Sequence, residues 1–63
     1  MVIGYAVKHK YHGFLCVSGA WSINAYALKL FTGIEEAKDR AKKVSEFHLA
    51  KVVIIKSIEV EDL

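Results

Sequence analysis

No proline interrupts this chain, a single cysteine is its whole supply of thiol, and no acidic residue stands before Glu35. Each absence removes a class of protein. One thiol cannot form an internal disulfide, and without a Cys-x-x-Cys pair there is no zinc-ribbon framework. The longest aliphatic run is Val52-Val53-Ile54-Ile55, far short of the ~20 residues of a membrane helix. The start, Met1-Val2-Ile3-Gly4-Tyr5-Ala6-Val7, lacks a basic leader and reaches Lys8 early, so a cytoplasmic location is expected. The glycines at positions 4, 13, 19 and 33 are scattered, which rules out a glycine-rich phosphate loop. A formal charge of +2 is too small for a dominant nucleic-acid field.

What is present is apolar and unevenly charged. Of 63 residues, 54% are apolar, yet a chain of this size buries only about 60% of the surface its unfolded form exposes. Single cores this small supply at most a few kcal/mol. A second polypeptide is therefore expected to cover surplus apolar surface, making a homodimer or higher oligomer the expected state. Residues 1 to 34 contain Lys8, Lys10 and Lys29 as their only Lys or Arg, no acid, and six of the seven aromatics, whereas residues 35 to 63 hold six bases and all seven acids. One half is basic and aromatic; the other is a balanced, solvated surface.

The chain reads as one domain, residues 1 to 63, without repeat or linker. Ile3, Tyr5 and Val7 alternate with Val2, Gly4, Ala6 and Lys8 at the period of a strand. The turn-forming stretch Lys8-His9-Lys10-Tyr11-His12-Gly13 and the β-prone residues 14 to 18 complete a hairpin over residues 2 to 18. Residues 19 to 26 fit a strand or a short helix, and residues 27 to 31 fit a short third strand. Thr32-Gly33-Ile34-Glu35 has the form of a capping box. After it, Ile34, Ala37, Ala41, Val44 and Phe47 or His48 recur at helical spacing, with Glu36/Arg40 and Asp39/Lys43 on the opposite side, predicting a helix over residues 33 to 48. Residues 51 to 60 predict a final strand with Val52, Ile54, Ile58 and Val60 on one side and Val53 and Ile55 on the other. The expected fold is α+β, a two-layer ββ(β)αβ domain with one helix on a mainly antiparallel sheet. Because one helix covers only one face, Val53 and Ile55 are the expected oligomer interface.

Chemistry-bearing residues are few. His9-x-x-His12, with Cys16 and His48, supplies zinc-type ligands, but strand alternation puts His9 and His12 on opposite sides unless the turn reorients one. No metal or other cofactor is expected. Cys16 and Ser18 lack a carboxylate partner in their half of the chain, so no enzyme is expected either. Lys8, Lys10, Tyr11 and Phe14 interleave cations with aromatics and offer a nucleic-acid surface as an alternative function; His12-Gly13-Phe14-Leu15-Cys16-Val17 echoes part of an RNA-recognition strand. Tyr5, Tyr11, Trp21 and Tyr26 exceed what a single helix-on-sheet core requires, and with Lys8 and Lys10 to steer acidic partners they form the expected protein-binding patch.

The Tyr5-led hairpin, Trp21, and Ala27-x-x-x-Phe31-Thr32-x-x-Glu35-Glu36-Ala37 running into a helix and a Val/Ile-rich strand together resemble a loose group of very short phage-encoded proteins. Some of that group inhibit host or defence proteins. The resemblance implies a stoichiometric, non-enzymatic inhibitor and carries no catalytic residues. It would act in the host cytoplasm.

Overall fold

A computed structural model of the chain describes residues 2–23, 28–56 and 59–62, with the side chains of Glu59, Glu61 and Asp62 left aside. The predicted α+β class is observed. Strands β1 (Val2–His9), β2 (Gly13–Leu15), β3 (Trp21–Ser22), β4 (Ala50–Lys56) and β5 (Glu59–Asp62) form one sheet in the order β3-β2-β1-β4-β5, and helix α1 (Ile34–Lys43) packs on it. All neighbouring strands are antiparallel. Among the described residues, no helix is long and apolar enough to cross a membrane.

The first hairpin closes as its sequence requires. His9 pairs with Gly13 across the turn residues Lys10, Tyr11 and His12, and Gly13 takes φ +85°. A side chain there would strain the backbone, and its Cβ would also lie 2.3 Å from the Ser22 carbonyl oxygen. β1 lies mid-sheet with β4 as its main partner, in a register from Val2↔Lys56 to His9↔Ala50 that slips between Val2 and Gly4.

Alternation along β1 divides the core between two faces. On the helix side, Val7, Leu15, Phe31, Ala37 and Val52 form a buried cluster against which Tyr5, Trp21, Ala41, Val44 and Ala50 pack. On the opposite side, Ala6, Phe14 and Val53 are buried with Leu28 and Ile55 against them. The second cluster corrects the expected oligomer interface. Val53 is 0% exposed within a single chain, shielded by neighbours that include Phe14, and needs no partner to cover it. Ile55 is half-buried in the same way.

Local boundaries shift for identifiable reasons. The third strand expected at residues 27 to 31 is replaced by isolated bridges, Cys16↔Leu28 and Tyr5↔Phe31; Ala27 lies outside the described residues. Phe31 exchanges two 2.7 Å backbone hydrogen bonds with Tyr5, so the chain must leave the sheet before the helix can begin. Thr32 therefore stands one position too early to cap. Gly33 is the N-cap, in extended conformation and without a side-chain capping bond, so the capping box does not form.

The helix also ends sooner than its pattern suggests. Val44 is extended and Glu46 adopts φ 57°, ψ 39°, leading into a 3₁₀ turn at Phe47–Leu49. Ala37, Ala41 and Val44 do face the core, but Phe47 is 61% exposed. Asp39 and Lys43 form the expected i, i+4 ion pair at 2.9 Å. The expected final strand is a hairpin of β4 and β5, paired from Val53↔Asp62 to Lys56↔Glu59, and Ile58 lies outside the described residues.

Candidate functional site

The turn after β1 gathers most of the chemistry this chain possesses. His9, the last residue of β1, is 1% exposed and points to the helix side. Its Nδ1 accepts hydrogen bonds from the backbone N–H of Tyr11 at 3.0 Å and of His12 at 3.2 Å. These bonds curl the turn back on itself, as an Asx side chain does in other turns. His12 is thereby brought to a ring-centroid distance of 4.4 Å from His9, where strand alternation alone would have separated them. Trp21 closes the other side of the imidazole, edge-on at 5.0 Å.

Glu46 completes the cluster. Its Oε1 lies 3.4 Å from His9 Nε2, an approach that falls short of a hydrogen bond and leaves Nε2 as a buried polar atom without a partner. Ligand atoms of His9, His12 and Glu46 all lie within 4.8 Å of one another, which is the spacing of a metal site. The tautomer argues against that use. Two N–H donors aimed at Nδ1 require its lone pair, so the proton of the neutral ring sits on Nε2. A metal at Nε2 would move that proton to Nδ1, directly against the Tyr11 and His12 amides. Metal-bound histidines instead direct the second ring N–H to a carbonyl or carboxylate. The cluster reads as a turn lock.

The surface around this lock is basic. Lys8, Lys10, His48 and Lys51, with His9, Leu49 and Ala50, line a cleft of about 420 Å³ at the end of the β1/β4 pair. Lys8 and Lys51 are opposite each other in the register and so project from the same face. The Lys10 amide donates to the Leu49 carbonyl at 2.9 Å, tying the hairpin turn to the 3₁₀ turn and fixing the cleft's width. Among the described residues lining it there is no acid. Tyr11 stands beside it, 66% exposed, with Lys10 Nζ 5.4 Å from its ring centre.

The expected aromatic patch is only partly assembled. Tyr11 is free to meet a partner, but Tyr5 and Trp21 are half-buried and pack against the helix-side core. Tyr26 lies outside the described residues. Phe14, proposed as a base-stacking residue, is buried beneath Lys8, whose Nζ sits 5.8 Å from the ring centre. Cys16 is a buried thiol whose Sγ reaches the Phe14 carbonyl at 3.7 Å. Sequence reasoning missed His48 and Lys51 as cleft residues because only the 3₁₀ turn and the β1/β4 register carry them to Lys8. Comparisons with protein-family profiles, with curated proteins and with solved structures return no match for this chain.

Proposed function

We propose that this chain is a non-enzymatic binding module that docks on an acidic surface of a protein partner. The observation that carries the reading is the cleft of Lys8, Lys10, His48 and Lys51, free of acids among its described lining residues and flanked by exposed Tyr11. Cations concentrated in a concave surface attract a complementary acidic partner and accelerate encounter. An exposed tyrosine adds contact area at small entropic cost. A stoichiometric inhibitor, the role implied by the resemblance to short phage proteins, needs a surface of this kind and no catalytic group. Burial of Phe14 favours protein over nucleic acid, since it leaves only Tyr11 exposed of the Tyr11 and Phe14 pair offered for stacking successive bases.

The test compares poly-L-glutamate with a thymidine oligonucleotide, each titrated into ¹⁵N-labelled protein. Poly-L-glutamate should shift the amides of Lys8, Lys10, Tyr11, His48 and Lys51, and Lys8→Glu with Lys10→Glu should abolish the response. Tighter oligonucleotide binding with quenching of Tyr11 would assign the cleft to nucleic acid instead. No response to either polyanion would refute the reading.

A further inference from the structure

A second concavity adjoins the basic cleft and shares Ala50 and Lys51 with it. It runs between α1 and β4, about 380 Å³ in volume, lined by Lys38, Ala41, Lys42, Phe47, Ala50, Lys51 and Val52. Its floor is apolar: Ala41 and Ala50 are half-buried, Val52 belongs to the core, and the Phe47 ring stands at the rim. A phenylalanine left this exposed contributes little to the fold. The 3₁₀ turn that presents it follows directly from left-handed Glu46, a conformation disfavoured for a residue other than glycine.

Among the described residues that line it, the charged ones are lysines. Lys38 and Lys42 stand at i, i+4 on the same helix stripe, a like-charged spacing that disfavours the helix. Among the described residues neither closes an ion pair, whereas the neighbouring Lys43 is paired with Asp39. An apolar strip bordered by the Lys38 and Lys42 ammonium groups is complementary to a segment with apolar anchors on an acidic background.

We infer that the α1/β4 groove docks an acidic amphipathic peptide segment of the partner protein, its apolar side chains seated against Ala41, Phe47, Ala50 and Val52 and its carboxylates over Lys38 and Lys42. This rests on the protein-binding reading above and adds the kind of segment recognised. The groove and the basic cleft lie next to each other, with Ala50 and Lys51 in the lining of both.

The test uses a synthetic peptide of about twelve residues with leucines at helical spacing among Glu and Asp, and a control with each leucine replaced by serine. The leucine peptide should bind roughly tenfold or more tightly than the serine control and shift the amides of Ala41, Phe47, Ala50 and Val52. Phe47→Ser, and separately Lys38→Glu with Lys42→Glu, should each weaken it by roughly tenfold while the helical circular dichroism stays unchanged. All three positions are exposed, so these variants test docking rather than folding. Equal affinity for the serine control, or shifts confined to Lys8, Lys10, Tyr11 and His48, would overturn the groove while leaving the basic-cleft reading standing. Absence of any shift with either peptide would overturn both.

Discussion

Replacing His9 with phenylalanine probes the turn lock most directly. The ring volume is largely kept, so contact with Trp21 and the core persists, but the Nδ1 acceptor disappears. The Tyr11 and His12 amides, partly buried and bonded to it at 3.0 and 3.2 Å, then lose their partner. The two lost bonds cost about 1–3 kcal/mol together, and removal of the buried, unpartnered Nε2 returns part of that, so the substitution should cost about 1 kcal/mol net. A 63-residue chain has a total stability of roughly 3–9 kcal/mol on the usual per-residue scale. With a urea dependence near 1 kcal/mol per molar, the unfolding midpoint should fall by about 1 M. Trp21 is the only tryptophan and sits 5.0 Å from the His9 ring, so its fluorescence reports the transition without a label. His9→Asn should recover part of the loss, because the Asn side-chain oxygen can accept from the same turn amides. A midpoint unchanged in His9→Phe would refute the lock. Zinc offers an independent check: it should not raise the melting temperature, and a rise seen in the native chain and absent from His9→Phe would show that Nε2 is available as a ligand.

Three further outcomes follow from the same geometry. Gly13→Ala should cost over about 2 kcal/mol, because a Cβ at φ +85° would meet the Ser22 carbonyl at 2.3 Å, whereas Gly19→Ala at φ +91°, with nothing within 4 Å, should cost only about 1 kcal/mol; urea midpoints compare them. Glu46→Gly should raise stability by about 0.5–1 kcal/mol, since relief of the left-handed backbone exceeds the loss of a half-exposed carboxylate, and a lower midpoint would show that the Glu46–His9 approach is worth more than its geometry suggests. Val53→Asp should abolish the fold, seen as loss of near-ultraviolet circular dichroism, because it puts an unpaired charge at a fully buried site; a folded monomer dissociated from an oligomer would restore Val53 to an interface.

Much of the fold could be read from side-chain periodicity. The alternation through Tyr5, Ala6 and Val7, the turn ending at Gly13, and the helical spacing of Ile34, Ala37 and Ala41 each depend on contacts between near neighbours. The element ends were less legible. The extent of α1 depends on Phe31 being held to Tyr5 and on Val44 turning out of the helix, and neither constraint is present in the spacing of apolar residues. The β4/β5 hairpin was hidden because Val and Ile occur on both sides of it.

The candidate site divides in the same way. Lys8, Lys10 and Tyr11 stand out in sequence as an acid-free basic and aromatic stretch, while His48 and Lys51 join them only through the register of β1 with β4 and the hydrogen bond from Lys10 to Leu49. The proximity of His9 and His12 likewise depends on two side-chain-to-backbone bonds that reverse the alternation of the strand. By itself the sequence determined the class of the fold, the position of its first turn and the sign of charge at its tip, because these follow from local periodicity and composition. Tertiary structure alone decided that Val53 is covered within one chain, that Phe14 and Trp21 are held in packing, and that His9 locks a turn. Burial and proton placement depend on which distant residues pack together.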